Sequence, residues 1–388
     1  MLNLELINQE YDFMQDIIFL NVSSVVMPPN RVQKDYNSFM SRYISNFGDD
    51  VVSRAWQIVG ATRPKIARLL NCQPEEIAFV KNTAEGIGTL AMGFPFQAGD
   101  NVVIADQEHS SNLYAWINVR RFGVNLKIVP SSNNCDINTQ DIIAAMDENT
   151  KILAISAVQF STGFYADLEA LGAECKKRGI IFVVDAIQAF GRLNIDVQKF
   201  NISWLACGGN KGALATLGVG FVYCSNDLAS NISPSFAGYQ STITHASPPS
   251  ITENFDRLEF YPHARRFEAG NLNYAGIEAL GNGADLLYEL GLENIQKHIL
   301  YLEKQLRHKL QGLKLQIVTP AKEENYGGVV CIYYPKAAEA QVVEVLKKYK
   351  IYATMRGGYI RFGINFYNTE KQMDTVVKAM FEIQNTLS

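Results

Sequence analysis

Between about residue 76 and residue 225, short apolar runs alternate with longer amphipathic stretches, the pattern of βαβ units and a mainly parallel sheet. Strands are predicted over 76–80, 101–105, 126–129, 151–158, 180–185, 204–207 and 219–224; most are short and apolar, as buried strands should be. Helical spacing occupies 84–92, 111–121, 139–146 and 167–177, with Asp167 a suitable cap before an apolar periodic run. Residues 226–267 carry Pro234, Pro248, Pro249 and Pro262, which interrupt any regular pattern and predict a long excursion at a domain edge. Beyond Leu272 the pattern turns to helices over 275–290 and 292–310, apolar runs at 313–318 and 327–334, a helix over 339–349 and a strand over 359–362. The reading is an α/β fold in three parts: an arm over 1–18, a large α/β domain over 19–270, and a smaller C-terminal α+β domain over 271–388.

Composition narrows the partners. Of 388 residues, 47% are hydrophobic and 19% charged, as in soluble globular chains. The 35 Lys and Arg against 39 Asp and Glu give a formal charge of −4, which offers no electrostatic footprint for nucleic acid or an anionic membrane. Small-molecule ligands are expected instead. Six dispersed cysteines form no CxxC pair and no metal-ligand spacing, so neither a disulfide framework nor a metal site is expected. The first residues lack the basic and apolar regions of a secretory signal, and no run is long and apolar enough to span a bilayer. A cytoplasmic protein is the expectation.

Candidate chemistry begins at Asp185, an acid at the carboxyl end of an apolar strand, the edge where open α/β sheets bind ligands. A strand-end aspartate also caps helices, so its partners matter. After the next predicted strand comes Lys211, flanked by Gly208, Gly209 and Gly212, which leave room for a bulky ligand. A lysine amine can form an imine with an aldehyde cofactor, and an anion beside a pyridine nitrogen keeps that ring protonated. A turn lysine on the surface is the plain alternative. Thr83, Ala84 and Glu85 open a helix directly after a strand, a place suited either to a phosphate or to an ordinary cap. His109 follows the strand ending near Ala105 and offers a flat ring for stacking, or simply a ring satisfied by its own loop. Arg361 sits within an apolar strand, where an unpaired guanidinium is costly; it needs either a substrate carboxylate or a structural acid.

Taken in order, Thr83, His109, Asp185 with Gln188, Lys211, the turn Phe267–Asn271, and Arg361 before Tyr367, Asn368 and Thr369 resemble the class V aminotransferase family of fold type I pyridoxal-phosphate (PLP) enzymes. The cysteine desulfurase and selenocysteine lyase branch is the most similar. The resemblance implies that Lys211 carries PLP as a Schiff base, Asp185 pairs with the pyridinium nitrogen, Gln188 bonds the phenolic oxygen and His109 stacks on the ring. It further implies that Thr83 and the neighbouring amides of Ala84 and Glu85 hold the phosphate, and that Arg361 clamps the carboxylate of an amino-acid substrate. Asn271 would reach the phosphate site of the partner in a homodimer.

The chain departs from that family in four places. Asn210 stands where a histidine usually precedes the lysine, and can still donate to the phosphate; Asn271 stands for the usual threonine. Phe160 stands where desulfurases often have an asparagine, which removes one cofactor contact. Desulfurases also carry a mobile-loop cysteine shortly before the carboxylate-binding arginine, and residues 352–359 contain none. The expected activity is therefore Cα carbanion chemistry on an amino acid, as an aminotransferase or as a C–S lyase that releases its product without a persulfide. A catalytically silent chain of this fold, or a nucleotide-binding α/β module, is the reading from another class; the chain has no GxGxxG turn at its first strand. Residues 236–263 would shape the substrate pocket.

Overall fold

The computed structural model describes residues 2–132, 135–243, 258–318 and 320–387, with the side chains of 49–52 left aside. The strands are β1 (Ile18–Leu20), β2 (Ile77–Val80), β3 (Asn101–Ala105), β4 (Asn125–Val129), β5 (Thr150–Ser156), β6 (Ile181–Asp185), β7 (Trp204–Gly208), β8 (Gly220–Cys224), β9 (Val329–Tyr333), β10 (Ile351–Arg356) and β11 (Tyr359–Gly363). Seven of them form a twisted sheet in the order β2-β8-β7-β6-β5-β3-β4. Six of the seven point the same way, and β8 alone runs antiparallel, to both of its neighbours. The connection from β7 to β8 is too short for a crossover helix, so the chain reverses there.

Strand residues alternate between two apolar layers, as the period of two requires. Phe182 and Val184 belong to one core and Val183 to the other; Val103 and Ala105 likewise oppose Val102 and Ile104. Helices cover both faces, which is why these strands read as continuous apolar runs. The helix Leu168–Arg178 shows how local signals set its ends. Asp167 caps it by accepting from the Ala170 N–H at 3.0 Å, and Gly179 closes it in the left-handed region at φ 67°.

A second sheet has the order β1-β10-β11-β9. The strand β1, which the sequence reading divides between arm and large domain, pairs in parallel with β10 of this small sheet. The apolar run 313–318 forms no strand beyond a single bridge, Ile317 to Ile332. The long helices Asn30–Ser45 and Asp49–Leu70, β10 and the final helix Glu370–Leu387 were not predicted. The first buries only Val32 and Phe39, whereas the second buries a regular stripe of Ala55, Ile58, Val59, Ile66 and Leu70 but carries Pro64, which in a sequence reads as a helix breaker. Both pack against Tyr274–Leu290. Half of the tract expected to shape the pocket, residues 244–257 of 236–263, lies outside the described residues. No described helix is long and apolar enough to cross a membrane, and no metal-binding group of side chains occurs among the described residues.

Candidate active site

The site assembles at the carboxyl ends of the parallel strands, where strand termini leave side chains aimed past the sheet edge. β6 ends on Asp185, β5 on Ser156 and β7 on Gly208; β3 runs out toward Glu108 and His109. Asp185 is 2% exposed. The one hydrogen bond to its carboxylate among the described residues comes from the Ile187 N–H at 3.0 Å. Burial raises its carboxyl well above the ordinary range; the Glu108 carboxylate pushes the same way, and Lys211 pulls it back. Lys211 is half-buried, and burial lowers its amine while Asp185 opposes the shift. Arg361 also lies within electrostatic reach and lowers it further. Asp185 and Arg361 therefore both lie within electrostatic reach of the Lys211 amine, and Asp185 and Lys211 do not close into an ion pair.

His109 caps the helix Ser110–Val119 by accepting the Ser111 N–H on Nδ1 at 3.1 Å, which leaves the ring proton on Nε2. Burial, then Lys211, Arg356 and Arg361, lower its pKa, so the ring stays neutral and free to stack on a heterocycle. Phe160 meets it edge-on at 4.9 Å. Under this loop lies Glu108, which the sequence reading did not single out. Its carboxylate accepts from Ser156 N–H at 2.9 Å, Ser156 Oγ at 2.6 Å, Gln159 Nε2 at 2.6 Å and Asn112 Nδ2 at 2.7 Å. Its neighbours Asp106, Gln107, His109 and Ser110 are polar as well, so nothing local in the sequence marks it out.

On the opposite wall, the Thr83 hydroxyl accepts the Gly208 N–H at 3.0 Å, which ties the helix start to the lysine loop. The cap of this helix is Asn82, whose Oδ1 takes the Glu85 N–H at 2.9 Å. The Glu85 amide is thus engaged, and Thr83 and Ala84 keep first-turn amides with no intrahelical acceptor. A Cβ on Gly208 would sit 3.0 Å from Ile187 and 3.5 Å from Thr83 Oγ1, so glycine keeps this corner open. Asn210 contacts the backbone of Ser24 at 3.5 Å. Gln188 donates from Nε2 to the Ser23 carbonyl at 2.9 Å, and its Oε1 is buried without a partner.

Arg361 is 6% exposed and has no acidic partner among the described residues. Its Nη1 donates to the Phe160 carbonyl and its Nε is buried without an acceptor. Arg356, also overlooked in the sequence, places a second guanidinium 5.8 Å from the Phe160 ring. Between the two arginines β10 and β11 join through Gly357 and Gly358 alone, both at positive φ, in the two-residue hairpin such glycines favour. The interval thus holds a tight turn and no cysteine-bearing loop. Cys331 lies across the ladder from Arg361, buried, its thiol pushed up to about 12 by burial. Asn271 stands apart from the cluster: it is exposed, touches Tyr274 Oη at 3.4 Å, and lines a cavity of about 920 Å³ with Lys81, Asn82 and Glu85.

These residues fit the cofactor that the resemblance implies. Free helix-start amides suit a phosphate, a strand-end carboxylate with spare acceptor capacity suits a pyridinium, and Gln188 retains a second Nε2 hydrogen for a phenolic oxygen.

Comparison with known proteins agrees. A probable cysteine desulfurase of Methanothermobacter thermautotrophicus is 27% identical over 97% of each chain. Among solved structures, the apo cysteine desulfurase of Thermococcus onnurineus NA1 superimposes with a TM-score of 0.88 at 22% identity, covering 100% of this chain and 99% of that one. The cystine C–S lyase C-DES does so with a TM-score of 0.86 at 18% identity, covering 96% and 99%. The fold is thus the fold type I architecture expected from the sequence. The sequence pattern of aminotransferase class-V matches residues 18–387, and the chain belongs to that family.

Proposed function

We propose that this chain, a PLP enzyme by its family, grips an amino acid by its carboxylate and opens a bond at Cα without passing sulfur to a thiol of its own. The single observation that supports this best is the convergence of Lys211, Asp185 and an Arg361 without acidic partner at one sheet edge. PLP, when bound, supplies an electron sink for the pair left on Cα. Lys211 would hold it through Nζ, and the same amine, its pKa lowered by burial, would be the base placed to take the Cα proton. Asp185 would keep the ring nitrogen protonated, His109 would stack on the ring and Gln188 would donate to the phenolic oxygen. The Thr83 and Ala84 amides with Asn210 would hold the phosphate, and the exposed Asn271 would serve the partner subunit of a homodimer. Arg361 would offer its uncommitted N–H groups to the substrate carboxylate.

Transamination is the first reading. β-Elimination from a sulfur amino acid is the second, supported by relatives named cysteine desulfurase together with a hairpin that carries no thiol. Incubation with cysteine, cystine and alanine separates them. Pyruvate from a sulfur substrate without an amino acceptor identifies the lyase; acceptor-dependent keto-acid formation identifies the aminotransferase. Turnover that depends on a protein-bound persulfide would contradict both.

A further inference from the structure

The segment after β1 crosses as a strap from the small sheet to the loops of the large one. Asn21 bridges in parallel to Gly363 at the end of β11, and its Oδ1 accepts from the Thr354 hydroxyl on β10. A few residues on, the Ser23 carbonyl receives Gln188 Nε2 at 2.9 Å, and the Val26 N–H donates to the Asn210 carbonyl at 2.9 Å. The strap therefore joins the arginine-bearing strand to the residues beside Lys211.

Ser23 occupies the middle of this crossing. Its side chain is 2% exposed, and its Oγ has no hydrogen-bond partner among the described residues. The direction of Oγ can be read from its neighbour. A Cβ built on Gly363 would lie 2.5 Å from Ser23 Oγ and 2.9 Å from its amide nitrogen. Gly363 and Arg361 are two positions apart on β11, so they face the same side of the sheet. The hydroxyl thus fills the room that a side chain at 363 would take, on the Arg361 face. A buried hydroxyl with no partner is costly to keep, and alanine would avoid that cost.

We propose that the Ser23 hydroxyl is a substrate ligand, donating to the carboxylate of the bound amino acid beside Arg361. The assignment rests on the function proposed above. Arg361 commits Nη1 to the Phe160 carbonyl, so a carboxylate seated there has acceptor capacity left for a neutral donor on the adjacent strap.

The test uses the cofactor-loaded protein and follows binding by the change in its visible absorbance, with L-alanine and its carboxylate-free counterpart ethylamine as probes. Ser23→Ala is expected to weaken L-alanine binding by about 10- to 100-fold, the value of a hydrogen bond to a charged group, and to leave ethylamine binding unchanged. Ser23→Thr restores the hydroxyl and should recover L-alanine affinity. The cofactor-free S23A protein should melt no lower than the wild type, because the change removes an unsatisfied buried group. Equal weakening of both probes, an unaltered L-alanine affinity, or a displaced resting absorbance band overturns the assignment; the last would move the hydroxyl to the cofactor. A loaded wild-type protein that responds to no amino acid sinks the proposed function and this ligand with it, whereas a normal wild-type response beside an unaltered S23A variant removes the hydroxyl alone.

Discussion

Arg192 and Arg361 are both buried guanidinium groups, and the chain treats them in opposite ways. Arg192, 1% exposed, donates from Nη1 to the Gln188 carbonyl at 2.7 Å and from Nη2 to the Gly328 and Ile364 carbonyls at 2.7 and 2.8 Å. Its Nε reaches the Ile364 carbonyl at 3.2 Å, and the buried Glu303 nearby offsets part of the burial that lowers its pKa to about 10. Such a group fastens the loop after β6 to one end of the small sheet, where β9 begins and β11 ends. Arg361 has one carbonyl and an idle Nε. The two buried acids differ in the same sense, since the Glu108 carboxylate accepts four hydrogen bonds and that of Asp185 one. Saturated polar groups hold this architecture together; unsaturated ones mark where a ligand completes it.

Four substitutions probe that contrast in descending order of effect. Asp185→Asn removes the charge proposed to face the cofactor nitrogen and should cut kcat/KM by about 10²- to 10³-fold, measured with saturating PLP. It carries a pH signature as well. Burial raises the Asp185 pKa in the folded chain, so its contribution to stability is present at low pH and is lost as pH rises through that raised value. Melts of the cofactor-free proteins from about pH 5 to about pH 9 should therefore show D185N gaining on the wild type as pH rises.

Arg192→Met strands three buried carbonyls and should cost about 3 kcal/mol of unfolding free energy in denaturant titration, with KM for the amino acid little changed in the folded fraction. Arg361→Lys has the complementary profile: a point charge cannot reproduce the guanidinium fork, so KM should rise by about tenfold or more while stability holds. Cys331→Ala should be the mildest, costing about 1 kcal/mol for a small cavity and leaving turnover of cysteine intact, because a buried, strongly raised thiol is a poor nucleophile. A sharp loss of turnover in C331A would restore a sulfur relay.

The legible parts of this molecule were those set by local rules. The strand Asn101–Ala105 appears within its predicted ends, Asp167 caps the helix it precedes, and Asp185 and Lys211 meet at the expected sheet edge. What escaped depends on partners far along the chain. Glu108 is recognisable only once Ser156 and Gln159 arrive to bind it, and Ser23 only once Gly363 does. The antiparallel β8 follows from a loop too short for a helix, a constraint invisible in the apolar pattern of 219–224. Helices such as Asn30–Ser45 bury too few residues to announce their period.

The account depends above all on the amine at position 211. Borohydride reduction of the loaded protein should bleach its visible band, and peptide mass mapping should then find a phosphopyridoxyl group on the peptide bearing Lys211, with Lys211→Ala colourless and inactive. A label fixed on another lysine, or full turnover by the K211A protein, would contradict it.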